Sequence, residues 1–145
     1  MRRLLIALTV AGAALAAGCG EESDTARSGA GPGSGSLQGR TFVSRSVMER
    51  GQCRALVAGT EIRLTFHDDG RLIASAGCNT MSGPVATESE RLVISDLATT
   101  EMGCDPARHA QDEWLAGVLT SRPTYSLESD RLTITTGDTV VELAG

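Results

Sequence analysis

From residue 62 onward the chain alternates apolar and polar residues in steps of two, and this pattern limits the fold more than any other feature. Ile62, Leu64 and Phe66 fall to one side of Arg63 and Thr65, and Leu92/Ile94, Tyr125/Leu127, Leu132/Ile134 and Val141/Leu143 repeat the arrangement. Successive side chains of a strand point to opposite faces, so each stretch reads as a strand with one buried face. Asp68-Asp69-Gly70, between Phe66 and Leu72, reads as a hairpin turn, because aspartate and glycine tolerate the positive φ that such turns need. Ser129-Asp130 and Gly137-Asp138 punctuate the last strands in the same way. Three strands open alike, at Arg71-Leu72-Ile73, Arg91-Leu92-Val93-Ile94 and Arg131-Leu132-Thr133-Ile134, but at irregular spacing. That is shared hairpin grammar and not a repeat architecture.

One helix interrupts the strands. Asp105 suits an N-cap, and Pro106 suits the first helical position, where its missing N–H is no loss. Ala110, Trp114 and Val118, with Leu115 and Leu119, form an apolar stripe at helical spacing, and Pro123 sets the end. Trp114, the single tryptophan, is expected to pack as an anchor under the curved sheet. The reading is α+β: a small curved antiparallel sheet approaching a barrel, with one amphipathic helix packed against it.

The N-terminus reads differently. Met1-Arg2-Arg3 precedes an apolar run from Leu4 to Ala17 and then Gly18-Cys19. The run falls short of the roughly 20 residues that span a bilayer and sits where a cleavable signal belongs. It resembles a bacterial lipoprotein signal over residues 1–18, after which Cys19 would carry the lipid and become the new N-terminus. Residues 19–36, ending in Gly29-Ala30-Gly31-Pro32-Gly33-Ser34-Gly35-Ser36, have the composition of a flexible tether. A chain of that kind spans about 5–6 Å times the square root of its length, enough to hold a domain a few nanometres from a membrane. Residues 37–145 suffice for one small domain.

Loss of the signal would leave eleven basic against eighteen acidic residues, a formal charge of −7. No basic stripe remains to track phosphates, and aromatic residues make up only 3%, too few to stack bases, so nucleic-acid binding is not expected. The expected location is the extracytoplasmic face of a membrane, held through the lipid on Cys19. A purely electrostatic grip on anionic lipid is not expected.

In that oxidising setting Cys53, Cys78 and Cys104 remain, and three thiols leave one over. Cys78 lies in Gly77-Cys78-Asn79, and Cys104 closes Leu97-Ala98-Thr99-Thr100-Glu101-Met102-Gly103-Cys104. Together with Gly39-Arg40-Thr41-Phe42, the Phe66 to Gly70 strand end and turn, and the helix after Asp105, these motifs resemble the META (HslJ-like) domain family in order and coverage. Phe42 stands where that family often has tryptophan, and Gly103 where it often has alanine. The resemblance implies an α+β fold with strands curling toward a barrel, and no agreed catalytic residues. The paired motif, in this compartment, is best explained by a Cys78–Cys104 disulfide stapling the strand loop to the start of the helix, with Cys53 as the odd thiol, free or joined to another chain; a shuffled bridge that includes Cys53 stays open.

Three chemical readings compete with a structural one. Cys78 as nucleophile, with His109 as base and Asn79 or Asp105 as orienter, would make an extracytoplasmic thiol enzyme, hydrolase or redox, if a nearby charge stabilised the thiolate. His67-Asp68-Asp69 offers metal-ligand chemistry but is already explained as a turn, so no metal and no cofactor are expected. A curved sheet could also serve as a cup for a small ligand. Asn79, Thr80 and Ser82, between Gly77 and Gly83, read as a tight loop and a candidate polar rim for a partner. The expectation carried forward is a non-enzymatic envelope lipoprotein whose domain binds a protein or envelope component, or supports envelope integrity under stress.

Overall fold

The structure, a computed structural model, describes residues 36–145. The signal segment 1–18, the lipidation residue Cys19 and the tether as far as residue 35 lie outside the described residues. Ten strands and one helix follow in the order β1 (Arg40–Glu49), β2 (Gln52–Cys53), β3 (Arg63–Phe66), β4 (Arg71–Ser75), β5 (Thr80–Glu88), β6 (Arg91–Ile94), β7 (Ala98–Thr99), α1 (Pro106–Thr120), β8 (Thr124–Glu128), β9 (Arg131–Thr136) and β10 (Thr139–Ala144). Eight of the strands form a ring, β1-β3-β4-β5-β6-β8-β9-β10, and β10 returns to β1. Every pairing is antiparallel. β2 is a short hairpin partner at the end of β1, and β7 adds to β5.

The sheet therefore does more than approach a barrel; it closes. The strand that closes it is β1. Its first residues pair with β3, from Arg40↔Phe66 to Val43↔Arg63, and its remainder pairs with β10, from Val43↔Ala144 to Glu49↔Thr139. A bulge between Ser44 and Ser46 lets one strand serve both neighbours, since an extra residue bends a strand and increases its twist. The narrowest seam is β6–β8, with the single register pair Arg91↔Thr124 flanked by Leu92 N–H to Pro123 O and Tyr125 N–H to Glu90 O. α1 packs against β6 beside this seam.

The inward residues fill the ring. Phe42, Leu64, Leu72, Met81, Leu92, Leu132 and Leu143 are fully buried, and Leu115, Val118 and Leu119 of α1 join the same cluster. Phe42 and Phe66 meet edge to face with ring centroids 6.0 Å apart. Burying side chains of this size stabilises a fold by roughly 1.5–3 kcal/mol each.

The helix starts as its sequence dictates: Asp105 Oδ1 accepts from the Ala107 and Arg108 N–H groups, both at 3.1 Å, and Pro106 follows. Its inward stripe needs correction at the N-terminal end. Ala110 is exposed and Trp114 only half-buried, while Gln111 and Asp112 are buried in their place. The early turns face polar backbone around residues 57 and 76–79, which needs hydrogen-bond partners more than apolar contact.

Candidate functional site

The densest polar assembly lies where α1 meets the Gly77-Cys78-Asn79 segment. Gln111 accepts from Val57 N–H at 2.7 Å, donates to Thr60 Oγ1 at 2.8 Å and donates to the Ala76 carbonyl. One residue on, Asp112 Oδ2 accepts from both the backbone N–H of Asn79, at 2.7 Å, and its side-chain amide, at 3.0 Å. Asn79 in turn accepts, through Oδ1, from Met102 N–H at 2.8 Å and from the Thr100 hydroxyl at 3.3 Å. Cys78 and Cys104 are joined in a disulfide with Cα atoms 6.2 Å apart. Three segments distant in sequence are thereby tied together: the approach to β5, the residues after β7, and the first half of α1.

Gly77 makes the approach feasible. Its φ of +125° disfavours any side chain, and a Cβ there would sit 2.5 Å from Thr60 Cγ2.

This geometry revises several sequence expectations. Asn79 is 1% exposed and its side chain is engaged on both sides, so it offers no rim to a partner. Thr80 and Ser82 belong to β5 and not to a loop. The thiol-enzyme constellation is dismantled residue by residue: Cys78 is in the disulfide and has no thiol to ionise, Asp105 caps the helix, and Asn79 is held by Asp112. His109 is half exposed, with Nε2 3.9 Å from Glu113 Oε1. Of the alternatives for Cys53, the free thiol is corrected, because no described cysteine is free and Cys53 is itself disulfide-bonded.

His67, Asp68 and Asp69 form the turn between β3 and β4. His67 N–H donates to Arg71 O at 2.8 Å, Gly70 N–H to His67 O at 3.1 Å, and Arg71 N–H to Asp69 Oδ1 at 3.1 Å. Two depressions among the described residues are of note. One, of about 240 Å³, is lined by Asn79, Thr100, Glu101, His109, Asp112 and Glu113 among others. The other, of about 340 Å³, lies along the β1 bulge and residues 53–56.

A second cluster, absent from the sequence reading, clamps the β1–β2 hairpin to the helix. Arg54 stacks on the Trp114 ring at 4.4 Å and pairs with Glu49 at 2.8 Å, and Trp114 Nε1–H reaches Glu49 Oε1 at 3.3 Å. The Arg54 hydrogen bond, followed by that from Trp114, holds the Glu49 carboxyl below its ordinary pKa. Trp114 packs against the core from a half-buried position and also serves as a platform for an arginine.

Comparison with known proteins places this architecture. The META domain family model matches residues 35–144. A solved NMR structure of a protein from Burkholderia xenovorans superposes with a TM-score of 0.61 at 21% identity, covering 74% of this chain and 82% of that one. A crystal structure of a DUF4847 family protein from Bacteroides vulgatus gives a TM-score of 0.51 at 13% identity, covering 73% and 92%. At these identities the likeness is one of fold. No curated protein matches the sequence.

Proposed function

The chain belongs to the META domain family, and from that premise we propose that it is an exported lipoprotein, anchored through Cys19, whose barrel is a non-catalytic binding module for an envelope protein or component. The observation that carries this reading is the commitment of the motif residues to structure. The Cys78–Cys104 bridge, the Asn79–Asp112 bonds and the Asp105 cap each fix one segment against another. A filled barrel then has its outer surface to offer, and a rigid surface suits recognition because little ordering entropy is lost on binding. The N-terminal sequence supplies the location: a short apolar run before Gly18-Cys19, then a Gly/Ser-rich tether. Lipid on the cysteine would keep the domain within a few nanometres of the membrane and raise its effective concentration toward partners there.

The test is metabolic labelling with a palmitate analogue in a bacterial host, followed by membrane fractionation. Wild-type protein is expected to take the label and sediment with membranes, and Cys19→Ala to do neither. Equal behaviour of the two would overturn the anchoring. The binding role is tested by cross-linking from surface positions in intact cells, where a discrete, saturable adduct is expected and none would count against it.

A further inference from the structure

The cavity of about 340 Å³ along the β1 bulge is lined by Ser44, Arg45, Val47, Arg54 and Leu56 among others. Arg54 is fixed in place, stacked on Trp114 at 4.4 Å and paired through Nη1 with Glu49 at 2.8 Å. Its other guanidinium donors have no partner among the described residues. Arg45, the bulge residue, is exposed and makes no ion pair or side-chain hydrogen bond among the described residues. Ser44 adds a hydroxyl that accepts from Ile62 N–H and keeps its own proton to give. Cys53, on the same wall, has its sulfur in a disulfide and offers no donor. The acids on β1 and β10 are already engaged, Glu49 by Arg54 and Trp114 and Glu142 by the Ser46 hydroxyl. A held guanidinium with spare N–H groups, a second arginine free to join it and a hydroxyl make a site for carboxylates.

The chain supplies carboxylates of its own. Residues 20–35, ahead of the described ones, carry Glu21-Glu22-Ser23-Asp24 and a single base, Arg27. An acidic partner arriving from solution is repelled by the net negative charge of the rest of the protein. A segment of the same chain overcomes that repulsion because its covalent connection keeps it at millimolar effective concentration. Its length permits the contact. Nine residues separate Ser36 from Arg45, at most about 32 Å of chain, and twelve separate Asp24 from Ser36, at most about 40 Å.

Resting on the reading of residues 19–36 as a tether behind a lipidated Cys19, we infer that Glu21-Glu22-Ser23-Asp24 docks in this groove as a strap, with its carboxylates on Arg45 and Arg54. Cys19 precedes Asp24 by five residues, at most about 18 Å of chain. Docking therefore draws the barrel onto the membrane, and release lets it out to the full reach of the tether.

The experiment is NMR of the isotopically labelled mature protein, extracted from bacterial membranes into detergent. Neutralising the strap, by Glu21→Gln with Glu22→Gln and Asp24→Asn, is expected to move the amide resonances of Arg54, Ala55 and Leu56 and to leave those of β8 and β9 in place. Arg45→Gln, and separately about 1 M salt, where the Debye length is about 3 Å, are expected to move the same resonances in the same direction. Added acetyl-Glu-Glu-Ser-Asp-amide is expected to bind the neutralised chain saturably, with a millimolar dissociation constant. Wild type should bind it about twofold more weakly, because the strap competes at a similar concentration. Groove resonances unmoved by neutralisation, equal peptide affinity for both chains, or shifts that grow with protein concentration, the mark of a strap reaching a second copy, would overturn the proposal. The intact mass of the same sample reports the acyl group on Cys19. Unmoved resonances on an acylated chain would reject the strap and leave the anchored binding module standing, whereas moved resonances on an unacylated chain would uphold the strap and reject the anchor.

Discussion

Asp112 and Glu49 show two ways in which a carboxylate can hold this fold. Asp112 is buried and accepts two hydrogen bonds from one residue, so Asp112→Ala would strand both Asn79 donors in the interior. The expected loss is about 2–6 kcal/mol, at about 1–3 for each of the two stranded donors, read from chemical denaturation followed by Trp114 fluorescence. Glu49 lies at the surface end of its clamp, and its carboxyl titrates below the ordinary range because Arg54 and then Trp114 donate to it. A carboxyl whose folded pKa is depressed adds stability above its unfolded pKa and loses it as pH falls through the folded value. Wild type is therefore expected to exceed Glu49→Gln in stability near neutrality. That gap should close between the ordinary carboxylate pKa of about 4 and the lower folded value, as followed by denaturation midpoints across acid pH. A gap that stays constant with pH would contradict the clamp.

At the scale of elements, β3, β4, β6, β8, β9, β10 and the helix were legible because their apolar residues follow a regular period, whereas β1, β2, β5 and β7 were not. In β1 the bulge at Arg45 shifts the inward parity from Phe42 to Val47, so no single alternation runs through it. In β5, Gly83 and Pro84 look like turn residues. They sit where the strand passes from β7 to β6, a place where Pro84 needs no N–H and the backbone of residues 95–97 comes close. A Cβ on Gly83 would lie 2.7 Å from Ser95 O. Gly83→Ala is accordingly expected to cost about 1–3 kcal/mol and to loosen the residues 95–99 in hydrogen exchange. The helix N-terminal half was misread for a related reason: periodicity reports apolar contact, and this half packs through Gln111 and Asp112 onto backbone that the sequence does not mark as buried. The Glu49–Arg54–Trp114 clamp left no sequence signal either, since its members are brought together only by the β1–β2 hairpin meeting α1.

For the molecule as a whole, closure and cross-linking act together. The bridge closes a loop with a sequence separation of 26 residues, and removing it by Cys78→Ala with Cys104→Ala is expected to lower stability by roughly 3–4 kcal/mol on chain-entropy grounds. For a small domain that is a large share of the whole. The double variant should nonetheless retain the strand signature in far-ultraviolet circular dichroism, because the ring is closed by β1–β10 pairing and not by sulfur.

The central claim joins an anchored N-terminus to structurally committed cysteines, and one measurement addresses both: peptide mass mapping of the protein extracted from bacterial membranes and alkylated without reduction. The account predicts an N-terminal peptide beginning at an acylated Cys19 and a Cys78–Cys104 cross-linked peptide, and the same map identifies the sulfur that Cys53 engages. Recovery of Cys19 unacylated or in a disulfide, or of Cys78 alkylated as a free thiol, would contradict it.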